Sequence, residues 1–271
     1  MRTENENPAI SPVLRGSSFI ELLMLIGAGV GLFFMTDLTR AQWPWDIPPF
    51  NARFLGAVYL AAMVAVAMKL LGGRWAPARL VLPMVFTFTF VIFIMSLVWL
   101  DKFLFDRWGA WAWIFFYVAL PLNAAVHMWL YRRLPPAPST PMPTAWRTVL
   151  LAFAVALGVY GLAQLFAPET TSAFWPWGID AFHGQLYSAI FLTAAIGALL
   201  LSRAAAPIEY FTLGITYAVF GFFSILGVVI ADATARRVDW ANAGTQLWMA
   251  LFTAILLVGL ALMWQSRLAR R

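Results

Sequence analysis

Asn123 and His127 stand four residues apart in the stretch ALPLNAAVHMW, a spacing that puts both on one face of a helix. Pro121, just before them, frees a backbone carbonyl and can bend that helix. Glu21, in an apolar run near the N-terminus, should lie at a comparable depth. A Glu21–His127 pair would couple two titrating groups inside an apolar bundle, which is how proton pathways are marked. The same residues also suit a simpler role, a hydrogen bond holding two helices together. Both readings stand at this stage, with Glu21, Asn123 and His127 as a candidate polar intramembrane site.

The other chemistry-bearing side chains are few. His183 is the second of only two histidines, and it falls at the opposite end of its segment from His127. Two histidines so placed cannot ligate one haem, and neither has a carboxylate or another histidine at metal-ligand spacing. A lone histidine can hold a chlorin, but nothing in the sequence adds to that. No haem or metal site is supported, and the cofactor, if any, is unknown. The chain has no cysteine, which removes disulfides, iron–sulfur clusters and thiol catalysis together. No phosphate-binding loop, dinucleotide fingerprint, serine-hydrolase elbow or HExxH is present, so nothing in the sequence points to an enzyme. Glu21, Lys69 and Glu209 are the charges nearest to apolar segments. All three are expected to reach water by snorkelling or to sit at the interface. Arg79 and Glu209 are 130 positions apart and form a possible ion pair between two halves of the chain.

Such residues need a scaffold, and composition names its solvent. Of 271 residues, 62% are hydrophobic and 11% charged, against about 25% charged in a soluble domain. No soluble fold of this length hides that much apolar surface, so the chain reads as all-α and integral to a membrane. Eight runs approach the ~20 residues a spanning helix needs: Phe19–Met35, Phe54–Leu71, Leu80–Leu100, Ala110–Tyr131, Val149–Leu165, Leu186–Leu201, Tyr210–Ile230 and Leu247–Trp264. They are continuously apolar, unlike the alternating strands of an outer-membrane barrel. Twelve of the 18 Lys and Arg residues fall on one side if the N-terminus is cytoplasmic. That bias puts both termini inside and the chain in the plasma (inner) membrane. The net charge of +6 is spread over the ends of apolar runs rather than gathered in a patch, which weighs against nucleic-acid binding. The polar start, MRTENENPAISPVLRGSS, lacks a signal-peptide pattern, so the first run is expected to remain a helix.

Two phrases repeat. QWPWDIP at residues 42–48 and FWPWGID at residues 174–180 place Trp43 and Trp175 132 positions apart. The match continues without a gap through Ile47 and Ile179, Phe50 and Phe182, Ala57 and Ala189, and Leu60 and Leu192. After small shifts in register, Pro77 meets Pro207, Asp101 meets Asp232 and Trp113 meets Trp248. The pattern predicts two tandem four-helix repeats. Four is even, so both repeats point the same way, in parallel. The expected organisation is a tail at 1–18, a first repeat at 19–131, a Pro-rich cytoplasmic linker at 132–147, a second repeat at 148–266 and a basic tail at 267–271. Asn123 and His127 have only Leu256, Val258 and Leu262 around their matching place in the second half, so the halves have diverged there. Trp43, Trp45, Trp175 and Trp177 have two readings. They form rigid outer turns anchored at the membrane interface, or an aromatic wall for a quinone, carotenoid or lipid headgroup. Gly27 and Gly31 form a GxxxG, which permits close helix packing within the chain or between copies.

The stretch PFNARFLGAVYLAA, following the first phrase, resembles uncharacterised multi-pass bacterial membrane proteins in which WPW precedes a short TPxxAR-like segment. The resemblance covers the WPW loops and the helices after them, and Gln185 stands in the second copy where Arg53 stands in the first. It implies no activity and no functional residues. Two functions remain. One is a non-catalytic structural or accessory subunit that binds lipid, a membrane-protein partner or a second copy. The other is a transporter or channel for a small neutral or apolar solute, with a path between the repeats. Sparse intramembrane charge favours the first, and the duplication with its divergent polar face favours the second.

Overall fold

The computed structural model describes residues 7–134 and 140–269; the first six residues, Arg270, Arg271 and the centre of the linker, 135–139, lie outside the described residues. Among those described, ten α-helices follow in order: α1 Pro12–Phe34, α2 Thr36–Arg40, α3 Pro49–Gly72, α4 Trp75–Val98, α5 Trp108–Tyr131, α6 Thr144–Phe166, α7 Pro168–Thr171, α8 Ala181–Leu201, α9 Pro207–Ala235 and α10 Ala243–Leu268. Eight are long and apolar enough to cross a membrane. The protein is an all-α, multi-pass integral membrane protein.

Most of the spanning helices begin well before the apolar runs that announce them, because their first turns are built from capping chemistry rather than hydrophobicity. Pro12, Pro49 and Pro207 open α1, α3 and α9, where a missing N–H costs nothing. The Ser11 hydroxyl accepts from Leu14 N, the Asp180 carboxylate from His183 N and the Asn242 carboxamide from Gly244 N. At the other end of α3, Gly73 takes φ +57°, a left-handed stop that a side chain would resist. Pro121 does not break α5, which runs unbroken from Trp108 to Tyr131.

Helix α1 packs on α3 and α4 on α5; likewise α6 packs on α8 and α9 on α10. The two sets meet where α3 lies against α9 and α8 against α4, with α4 and α9 touching between them. Helices α3, α8 and α9 are therefore the most buried spans, and α1, α5, α6 and α10 form the flanks. Two very short antiparallel pairings tie the turns at one end. Strand β1, Thr140–Pro141, pairs with β2, Ala204–Ala205, and Ala9 bridges to Arg74.

Small residues set how closely the flanks approach. A Cβ on Gly29 would stand 3.1 Å from Leu60 N, and one on Gly161 3.0 Å from Leu192 N, so α1–α3 and α6–α8 touch almost backbone to backbone. Of the expected GxxxG pair, Gly31 is pressed against Thr39, whereas Gly27 faces open space. The close approach in α1 belongs to Gly29, two residues along, because α3 lies on that side of the helix.

Candidate functional site: a lateral groove and a buried polar cluster in the first half

Helices α1 and α5 make few contacts with each other, and between them lies a groove of about 720 Å³. Gly27 and Ala28 on α1 give it depth. Its wall carries Trp43, Tyr59, Trp113 and Tyr117, and its rim carries the exposed Ile20, Leu23, Leu38 and Trp108. An apolar rim on a spanning helix faces hydrocarbon, so the groove opens sideways. Behind Met24, Tyr59 and Tyr117, which line both spaces, a second cavity of about 100 Å³ lies among α1, α3, α4, α5, α8 and α9.

The polar groups around these spaces are deeply buried. Tyr59 Oη and Tyr117 Oη are 3.0 Å apart, so one donates to the other and one hydroxyl hydrogen has no acceptor among the described residues. Lys69 Nζ donates to Glu21 Oε2 at 2.9 Å, with both side chains almost fully enclosed. The expectation that these two charges would snorkel to water is therefore corrected. Each has the other instead, and pairing is what makes burial of either tolerable.

Glu21 is thus engaged by Lys69 and not by His127. His127 Nδ1 lies 2.9 Å from the backbone carbonyl of Asn123, to which it must donate, and Nε2 lies 3.4 Å from Ser11 Oγ. Tyr131 Oη accepts from Ser11 N at 2.7 Å in the same cluster. His127 secures the N-terminal segment to α5, and the Asn123 side chain, half-buried, does not join it. The proposed three-residue polar face separates into two unrelated contacts because α1 turns its Glu21 face toward α3.

Arg79 and Glu209 lie side by side. Arg79 Nε donates to Glu209 Oε1 at 2.5 Å and Nη2 to Oε2 at 2.7 Å, a two-pronged contact joining α4 to α9. Glu209 also accepts from Ala206 N at 2.7 Å, and Arg79 donates to the Ala204 carbonyl at 3.0 Å. A double-mutant cycle of Arg79→Met and Glu209→Gln, read by thermal unfolding in detergent, is expected to give a coupling of about 2 kcal/mol. Additive effects would mean that the two side chains do not stabilise one another.

The WPW rings turn into the protein rather than out to the membrane interface. Trp43, Trp45 and Trp175 are buried and Trp177 half-buried. Trp45 and Trp113 rings lie 4.8 Å apart, as Trp177 and Trp248 lie 5.5 Å apart. Each loop also crosses over. Trp45 Nε1 donates to His183 Nε2 at 3.1 Å, and Trp177 Nε1 donates to Asn51 Oδ1 at 2.7 Å. Residues 51 and 183 are themselves 132 apart, as are 45 and 177. An indole N–H can only donate, so Nε2 of His183 is the acceptor nitrogen and Nδ1 carries the hydrogen, directed at Asp180 Oδ1 2.7 Å away. Partial burial acts to raise the Asp180 carboxyl, but hydrogen bonds from the His183 ring and backbone, helped by Lys102, outweigh it and hold the group below its ordinary value.

Two buried indoles lack a partner among the described residues, Trp43 and Trp248. Among the unpaired buried polar atoms, Trp43 Nε1 is the one that belongs to a groove-lining residue. Tyr59, Tyr117 and Lys69 were not among the sequence-derived candidates. A comparison at offsets of 132 and 135 shows the signal: Tyr59 falls on Phe191, Glu21 on Phe153 and Tyr117 on Phe252, so at these positions the polar group stands in the first half alone. Among the described residues no three His, Asp or Glu side chains gather as a metal site requires. No protein-family model, curated protein or solved structure matches the chain.

Proposed function

We propose that this is a non-catalytic lipid-binding membrane protein built as two tandem parallel repeats, with both termini cytoplasmic and its binding surface in the first repeat. The observation that carries the binding role is the groove of about 720 Å³ between α1 and α5, a size typical of ligand sites and open sideways to hydrocarbon. The repeat reading is supported by the constant offset of 132 between the crossed tryptophan contacts and by the like pairing of α1–α3 with α6–α8. The cytoplasmic placement of the termini rests on the Lys and Arg bias, and residence in the plasma (inner) membrane is part of the same proposal.

Lipid retention tests the role. In native mass spectrometry, protein released from detergent micelles should carry one lipid. Gly27→Trp should lose it, because a Cβ at Gly27 meets nothing within 4 Å and the indole can enter the groove without moving backbone. Identical lipid occupancy in the two proteins would overturn the reading.

A solute path between the repeats is the second reading, favoured by the cavity of about 100 Å³ that α3, α4, α8 and α9 share. It requires that space to open past the Arg79–Glu209 contact at one end and the crossed tryptophans at the other.

A further inference from the structure

The two halves treat the first tryptophan of the WPW phrase differently, and because Trp43 lines the groove the difference describes a ligand. In the second half, Trp175 Nε1 donates to Tyr160 Oη at 2.7 Å. That hydroxyl in turn donates to the Thr171 carbonyl at 3.3 Å, and the Tyr160 ring packs edge-on against Phe191 with centroids 4.6 Å apart. A phenol thus fills the space between α6 and the WPW loop and satisfies the indole.

Subtracting 132 from each number gives the first half: Trp43, Ala28, Thr39 and Tyr59. The phenol is missing because Ala28 stands in its place. All four residues line the groove, and Trp43 Nε1 is left buried without an acceptor. A buried unpaired donor costs about 1–3 kcal/mol, a cost that an oxygen arriving from outside would remove.

We propose that the groove takes a lipid with a hydroxylated aromatic-ring headgroup, its hydroxyl standing beside Trp43 as the Tyr160 hydroxyl stands beside Trp175. The ring lies edge-on to Tyr59, the oxygen accepts from Trp43 Nε1, and the hydroxyl hydrogen points to the Thr39 carbonyl. The remaining volume, far more than one ring needs, houses the alkyl chain, which leaves past Ile20 and Leu23 into the bilayer. The fit is to a phenol- or quinol-headed lipid rather than to a hydrocarbon or a charged phosphate. Oxygen satisfies the orphaned donor, and no cationic side chain lines the groove to receive an anion. The proposal rests on the lipid-binding reading above and adds the headgroup to it.

The probe is 4-octylphenol, with octylbenzene as its oxygen-free counterpart, measured by equilibrium binding to the full chain in phosphatidylcholine nanodiscs. Wild type should bind octylphenol about tenfold more tightly than octylbenzene, the worth of one good hydrogen bond. Trp43→Phe keeps an aromatic ring in the wall but removes the donor, and should erase that preference, so that the two probes bind with equal affinity. Ala28→Tyr rebuilds the second half's filling in the first. It should abolish binding of both probes and should not lower the thermal midpoint. Equal affinity for the two probes in wild type, or a preference that survives Trp43→Phe, would overturn the headgroup assignment while leaving the lipid groove intact. If neither probe binds wild type, the headgroup assignment falls as well. Persistence of both probes' binding in a folded Ala28→Tyr protein would remove the groove itself.

Discussion

Lys69→Met is expected to leave little folded protein in membranes, because it strands the Glu21 carboxylate where neither water nor another cation can reach it. The pair is 2.9 Å apart and both partners are almost wholly enclosed. Removing one member of such a pair costs about 3–5 kcal/mol, a large part of the whole stability of a domain. Glu21→Gln should be nearly as damaging in the opposite sense, leaving an ammonium group without its counter-ion. The double variant Glu21→Gln with Lys69→Met is expected to recover most of the loss, since two neutral side chains of similar volume replace two charges. The fraction of monodisperse protein surviving a temperature ramp in detergent measures this directly. Single losses that simply add in the double variant would show that the two side chains do not depend on each other.

The second large effect is expected at the contact between α9 and α10. A Cβ on Gly259 would lie 2.5 Å from Ala218 N, one on Gly221 2.6 Å from Phe252 O and one on Gly214 2.8 Å from Gly259 O. These obstacles are backbone atoms, so no rotamer change relieves them and the helices themselves must separate. Lipid supplies no hydrophobic force to push them back together; close packing is what holds them. Gly259→Leu should therefore cost at least the 1–3 kcal/mol typical of overpacking, about 2–8 °C in melting temperature or more, by forcing α10 off α9. Gly16→Leu, at a position with nothing within 4 Å of the new Cβ, is the matched control and should melt with wild type. Equal melting of both variants would refute this account of the contact.

The spanning helices were legible because each is a continuous apolar run, and such a run has few other uses. Their starts were not, since PFNAR at the start of α3 and PIE at the start of α9 mix proline and charge in ways that lower the apolar signal. What remained hidden was rotation about each helix axis. In a soluble helix the polar stripe shows which way is out, but a lipid-facing surface and a protein core are both apolar. The sequence could therefore place Glu21 and His127 at similar depths without showing that α1 turns Glu21 toward α3 and Lys69. Arg79 and Glu209 were singled out by their offset of 130, which does not depend on rotation, and they lie together on α4 and α9. The groove was beyond motif reading, since what marks it is a small residue, Ala28, where the other half has a tyrosine.

If the halves are the tandem repeats proposed above, the crossed tryptophans bear on ancestry. Each half lends an indole to the other half's first polar residue past the loop, the swap that two identical separate chains would make across an isologous dimer axis. A gene fusion of such a dimer would inherit two copies of every cleft while needing only one. The spare copy is then free to drift, and a tyrosine that plugs its own vacancy is one way for it to retire.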